Sequence, residues 1–445
     1  MIEVLKARLE QPTARGLAHA LSHAIADGAL QPGQRLQPIR SVAAGLQLSP
    51  TTVSAAWALL SRAGTIRTDG RRGTIICEPS EAAPSRYRKA LERHSSFDLD
   101  LSTGVPDPDL LPDLTGALHD LQPVLTPGTY LDPPVLPALE RELRAGWPGS
   151  AETLTVVDGA MDALDLIVRC LVGFSDRVAV ENPSFPPLLD LLDAAGAEVI
   201  GVNLDNDGPL PESLRAAVAA GARMFFCQPR AQNPTGVSMG AARAAELAAV
   251  LEPTDVLVVE NDSAGSVATA PLASLADRLP NRVLHVRSFS KSHGPDLRLA
   301  ALGGPAALVE PIVERRFLGQ GWTSRLLQQV LLHLLTHTDT RRQVAHARAE
   351  YARRRHAMVT ALAEYGVQVG GSDGINIWLP VADEAAAMVR LASRGIGATA
   401  GAPFSVGPVG RPHLRITVAS IASEHARIAG ELAAAAGASG WSAAR

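Results

Sequence analysis

The chain is poor in cysteine and in lysine. Its 445 residues include only 3 cysteines, Cys77, Cys170 and Cys227. They are far apart, odd in number and form no CxxC pair, so neither a disulfide framework nor a zinc site is expected, nor any metal. No apolar stretch reaches the roughly 18 residues of a membrane span. The N-terminus MIEVLKARLEQPTARG lacks the basic-then-apolar pattern of a signal peptide. These absences point to a cytoplasmic protein without a membrane partner. Of the 41 basic side chains only three are lysines, Lys6, Lys89 and Lys291, which leaves 38 arginines. An apolar content of 46% excludes a wholly disordered chain and is enough for a sizeable core.

Charge divides the chain. Residues 1–78 carry nine Lys/Arg against five Asp/Glu, a net of +4, and the remainder carries 32 against 40, a net of −8, which together give the overall −4. A basic head on an acidic body implies different partners for the two. Between them, residues 79–96 (PSEAAPSRYRKALERHSS) are polar, hold two prolines and lack an apolar period, as a linker does.

In the head, Leu17, Leu21, Ala24 and Ile25 share one helix face, and Gly28 stops that helix. A short helix is expected around Ile39–Leu46. Ser49 then offers an N-cap and Pro50 a first helical residue, with Val53, Trp57 and Leu60 as the apolar stripe behind them. Two helices joined by a tight turn read as a helix-turn-helix, whose second helix presents Thr51 and Thr52 at its base-reading end. TIRTDGRRGTII reads as a hairpin turning at Asp69-Gly70, with Arg71 and Arg72 at its tip. The head is therefore expected to be an α+β winged helix. Residues ~14–78 resemble the GntR-type winged helix. That resemblance implies a double-stranded DNA operator as partner, touched by Arg40, Thr51, Thr52, Arg71 and Arg72.

The body, residues 97–435, has apolar runs at Leu154–Val157, Val178–Val180, Val199–Val202, Met224–Cys227, Val256–Val259 and Val283–Val286, with helical patterns between several of them. Such alternation predicts an α/β fold with a mostly parallel sheet covered by helices, whose ligands sit beyond the carboxyl ends of the strands. The larger part is expected over about 125–330. A smaller α+β part follows over about 340–435, led by a long helix whose arginine-rich segment 341–359 is read as a solvated face.

Chemistry gathers at the expected strand ends. Lys291, in SFSKSHG, is the only lysine after residue 97. Where arginine has replaced almost every lysine, the survivor suits a task that needs an amine nucleophile, such as condensation with an aldehyde. Gly159-Ala160-Met161 follows a strand and opens a helix, so its backbone N–H groups can cradle a phosphate, with Ser288, Ser290 and Arg298 as further donors. Asn233 stands in the turn NPTG.

With that spacing the body resembles the fold-type I pyridoxal-phosphate enzymes, the aspartate-aminotransferase-like group, over residues ~97–435. Head and body together resemble a MocR-type transcriptional regulator. The resemblance implies pyridoxal phosphate as cofactor, held by Lys291 as an internal aldimine, with Asn233 on its phenolic oxygen. Its phosphate would lie on Gly159, Ala160, Met161, Ser288, Ser290 and Arg298, and its ring under Phe185. Tyr130 would reach the phosphate of a second subunit in a homodimer, and Arg415 would hold the carboxylate of an amino-compound effector. In the segment VVENDSAGSV the family places an aspartate under the pyridine nitrogen, followed by a second acid and then commonly a phenol or imidazole. Here the residues are Asn261, Asp262 and Ser263, and whether Asn261 or Asp262 faces the ring stays open. Neighbouring strand residues point to opposite faces, so only one of them can. The departure implies weakened transamination. The function expected is a regulator that senses pyridoxal phosphate, an amino compound or both; the alternative is an active aminotransferase with an appended DNA-binding head.

Overall fold

A computed structural model of the chain describes residues 1–31, 33–62, 65–69, 73–76, 97–121, 129–407 and 410–439. The wing-tip residues Arg71 and Arg72 and the linker expected at 79–96 lie outside the described residues.

The head opens with helices Ile2–Lys6, Ala14–Ala26, Ile39–Leu46 and Pro50–Arg62. Local chemistry sets their limits. Thr13 caps the second helix by accepting from the Gly16 N–H at 3.1 Å, and Ser49 Oγ does the same for Thr52 N at 3.0 Å. Gln47, left-handed at φ 55°, makes the turn between the last two helices. Strands β1 (Ile66–Asp69) and β2 (Gly73–Ile76) then pair antiparallel, with Ile66 opposite Ile76. Leu17, Leu21, Val53, Trp57 and Leu60 close a common core. The result is the winged helix-turn-helix that the sequence predicts.

The body is centred on eight strands, β4 (Thr153–Val157), β5 (Arg177–Asn182), β6 (Glu198–Asp205), β7 (Gly208–Pro209), β8 (Met224–Cys227), β9 (Leu257–Asp262), β10 (Val283–Ser288) and β11 (Ala300–Gly304). Their order in the sheet is β4-β11-β10-β9-β8-β5-β6-β7. β10, β9, β8, β5 and β6 pair parallel, whereas β11 runs antiparallel to both β10 and β4, and β7 to β6. Alternate residues feed the two faces: Val259, Leu284 and Val286 enter one core and Val258 and Val283 the other. β11 has no counterpart among the expected strands. Its sequence AALGG lacks the branched residues that announce a strand, and it is buried throughout.

The C-terminal part packs three antiparallel strands, Asn376–Pro380, Thr399–Ala400 and His413–Thr417, against the helices Thr338–Glu364 and His425–Ala436. Strand β3 (Leu99–Asp100) pairs with Ile396–Gly397, so the first described residues of the body are tied into this part before the chain crosses to the main sheet. One expectation for the long helix needs correction. Arg354 and Arg355 are 6% and 3% exposed, not solvated. Arg354 binds Asp107 and Glu350, and Arg355 binds the backbone carbonyls of Asn376 and Gly370. A buried guanidinium survives only when its donors are taken up in this way.

Head and body meet at a seam. Phe174, in the turn between the helix Ala160–Leu171 and β5, packs on the head core. Beside it Glu198 joins Arg15 of the head and Arg177 of the body, each at 2.9 Å.

Candidate cofactor site and DNA-reading face

The carboxyl ends of β4, β5, β8, β9 and β10 lead into Gly159, Phe185, Asn233, Ser263 and Lys291 respectively. Gly159 is the N-cap of the helix Ala160–Leu171, at φ 99°. A side chain there would meet Arg298 Nη2 at 3.3 Å, so the glycine leaves room for the guanidinium at the helix end. Arg298 stays near through Nη2, 3.4 Å from the Asp158 carbonyl, and Asp158 is itself anchored by buried Arg316 at 2.7 Å. Ser288 is buried, and its hydroxyl accepts from Ser290 N at 3.3 Å. The start of the helix Ala160–Leu171, without a side-chain cap, and the Arg298 guanidinium therefore lie together, and Ser288 stands opposite Ala300, two residues beyond Arg298; these are donors of the kind a phosphate takes.

Lys291 reaches inward and donates to the Gly104 carbonyl at 3.0 Å. Burial, helped by the charge of Arg415, pulls its pKa down to about 8. Gly104 sits at φ 66°, and a Cβ on it would come within 3.0 Å of Arg415 Nη1. The strap Leu101–Val105 thus links the amine to the guanidinium. Arg415 is 5% exposed, donates to the Ser102 carbonyl and to Thr399 Oγ1, and packs over Phe404. Sequence reasoning missed Gly104, because its partners Lys291 and Arg415 are far along the chain and a lone glycine in a Pro/Asp-rich stretch reads as a turn.

The two residues left open in β9 have different surroundings. Asp262 is fully buried and bridged to Arg230 at 2.8 Å. Burial works to raise that carboxyl, but the hydrogen bonds and charge of Arg230 outweigh it and hold the pKa below the usual value. Asn261 points to the other face, is 7% exposed, and its Oδ1 has no hydrogen-bond partner. The same holds for Asn233 Oδ1. Unpartnered buried amide oxygens are uncommon and costly; Asn233 lies in a small pocket that Gln232, Ser263, Lys291 and Asn376 also line, and Asn261 pairs with Val286 near the carboxyl end of the sheet. Ser263 turns its hydroxyl to Gln228 at 3.2 Å. Gln228 N and Gln232 Nε2 both donate to Glu181, yet burial drives that carboxyl up to about 8. Phe185 is half-buried at the start of the helix Pro186–Ala194. Tyr130 lies apart from this cluster, 90% exposed, edge-on to Trp322.

In the head, Arg40 is exposed at the start of its helix. Thr51 and Thr52 lie at the free end of the next helix, each hydroxyl 2.7 Å from Ser49 Oγ. Thr51 is exposed there and Thr52 partly so.

Comparisons with known proteins agree with both halves. Residues 13–76 match the model for bacterial regulatory proteins of the gntR family, and residues 98–431 match that for aminotransferase class I and II. The chain is 33% identical over 422 residues to the vitamin B6 salvage pathway transcriptional repressor PtsJ of Salmonella typhimurium, covering 93% of this chain and 96% of that one. It is 27% identical to the pyridoxine biosynthesis transcriptional regulator PdxR of Corynebacterium glutamicum, over 86% of this chain and 87% of that one. Among solved structures, a kynurenine aminotransferase of Pyrococcus horikoshii superposes with a TM-score of 0.69 at 23% identity, over 78% of this chain and 94% of that one, which shows the fold alone. A winged helix of the first family joined to a body of the second, and matched nearly end to end by a repressor of the same build, places this chain among the gntR-family transcriptional regulators that carry an aminotransferase class I and II domain, the MocR type.

Proposed function

We propose that this regulator binds pyridoxal phosphate at Lys291 and that the cofactor sets its affinity for operator DNA. The observation that carries the reading is a pair of buried amides with unpartnered oxygens near the carboxyl ends of the sheet, Asn233 in the pocket lined by the one lysine of the body and Asn261 in β9. Turned about its last bond, each amide could present Nδ2 to an acceptor on the cofactor ring, Asn233 to the phenolic oxygen and Asn261 to the ring nitrogen. Bound there, the cofactor supplies an aldehyde for the Lys291 amine and an electron-poor ring. Gly159, Ala160 and Met161, with Ser288, Ser290 and Arg298, would hold its phosphate. Phe185 would cover the ring, and Asn261 rather than Asp262 would meet its nitrogen, since Arg230 already holds Asp262.

An amide carries no charge, so Asn261 does not compel a proton onto that nitrogen as a carboxylate would. This disfavours turnover and favours sensing. Arg415, already engaged by Ser102 and Thr399, is the place for the carboxylate of an amino compound, which would have to displace the strap carbonyl. The helix Ala160–Leu171 offers the route to the head. Its first turn lies at the phosphate cradle, and its far end, about 18 Å away for 12 residues, leads into Phe174 at the seam. A homodimer fits the exposed Tyr130, Leu131 and Leu318. It would pair two winged helices for a two-part operator.

The test is a titration of the purified chain with pyridoxal phosphate. A visible absorbance band should grow to one cofactor per chain and should be lost in Lys291→Ala. A band that the variant keeps in full would refute the assignment.

A further inference from the structure

Away from the cofactor site, one surface corner gathers groups of a different kind. His333 lies on the helix Arg325–Thr336, and His337 is that helix's C-cap, one turn later. Asp120 comes from the neighbouring helix Leu114–Leu121. Ligand atoms of Asp120, His333 and His337 all lie within 4.8 Å of one another. The two imidazoles stack with centroids 4.9 Å apart and planes 19° from parallel, so they present one common face. His333 Nε2 stands 3.8 Å from Asp120 Oδ2, too far for a hydrogen bond. His119 lies alongside, its Nδ1 3.6 Å from Asp120 Oδ1.

We propose that Asp120, His333 and His337 form a binding site for a divalent transition metal such as zinc. Two histidines four residues apart on one helical face, completed by a carboxylate, are a zinc donor set. Imidazole nitrogens select zinc or cobalt over magnesium and calcium, which take oxygen ligands. Zinc bonds of about 2.0–2.2 Å put tetrahedral ligand atoms roughly 3.4 Å apart. Closing from 4.8 Å to that spacing needs about 1.4 Å of movement shared among the three side chains. Below them the backbone frame is fixed, since Ala117, Leu331 and Leu334 pack the two helices into one core. His119 or water would complete the coordination.

The ion would staple the helix Leu114–Leu121 to the helix Arg325–Thr336. At the opposite end of the latter, Arg325 holds the backbone carbonyls of Thr129, Asp132 and Pro133. Metal occupancy would therefore stiffen the frame that carries Tyr130. Only this last consequence rests on the dimer proposed above; binding itself does not.

The test uses the full chain, freed of metal with a chelator and titrated with zinc sulfate and, separately, cobalt chloride. The expected result is saturable binding of one ion per chain, with a visible cobalt band of nitrogen–oxygen ligation. Asp120→Asn and the pair His333→Gln/His337→Gln should each weaken binding at least tenfold and abolish that band. Lys291→Ala should bind as the unmodified chain does. No saturable binding, full affinity in the histidine pair variant, or loss of binding in Lys291→Ala would each overturn the site.

Discussion

The reactivity of Lys291 should depend on pH in a way the structure fixes in advance. Its amine must be neutral to attack an aldehyde. Burial and the nearby Arg415 charge lower its pKa to about 8 from 10.5. At pH 7.5 a lysine of that pKa is about one-quarter neutral, against about 0.1% for an ordinary one, a gain of roughly 240-fold in available nucleophile. The sign is set by the depressed pKa: lowering the pH below about 8 protonates the amine and slows capture, and raising it above that value adds little. Stopped-flow mixing of the protein with pyridoxal phosphate, followed by visible absorbance between pH 6.5 and 9.5, should give a rate that climbs nearly tenfold per unit at the acid end and levels off above about 8.5. Arg415→Gln removes one of the two causes and should move the midpoint to higher pH. A midpoint near 10.5 in the unmodified chain, or no shift in the variant, would refute the reasoning.

Other perturbations follow from the same contacts. Asn261→Asp buries a carboxylate, so the ligand-free protein should lose more than the about 1–3 kcal/mol of a neutral unpaired group; pyridoxal phosphate should stabilise this variant more than the unmodified chain in thermal melts, and half-transamination of amino acids should rise at least tenfold. Gly104→Ala forces a side chain into a left-handed position and against Arg415, at a cost of roughly 1–2 kcal/mol; cofactor affinity should fall while the head still binds DNA, as a fluorescence anisotropy assay would show. Phe174→Ala removes the half-buried ring at the seam, worth about 1–3 kcal/mol; DNA binding should persist but lose its response to the cofactor, and an unchanged response would rule out transmission through the helix Ala160–Leu171.

Much of this architecture was legible because its signals are local. The helix expected at Ile39–Leu46 has those bounds in the structure, and the strand expected at Met224–Cys227 likewise. Caps, branched residues and turn residues act within a few positions. β11 was not legible, since AALGG carries no strand pattern and is held by β4 and β10 on either side; Gly303 is small because Trp147 would lie 2.8 Å from any side chain there. The different surroundings of Asn261 and Asp262 could not be read from the sequence, because Asp262 is held by Arg230, 32 residues upstream. Nor could the burial of Arg354 and Arg355, whose partners come from segments across the small part. Lys291, by contrast, stood out through composition alone, as the one lysine of an arginine-rich body.

The central claim is that cofactor capture at Lys291 changes how the head reads DNA. The most direct measurement is the affinity of the full chain for its operator fragment, with and without pyridoxal phosphate, for the unmodified protein and Lys291→Ala. The account predicts a change of at least fivefold on adding cofactor to the unmodified chain and none in the variant. An equal response in both, or no response in the unmodified chain, would contradict it.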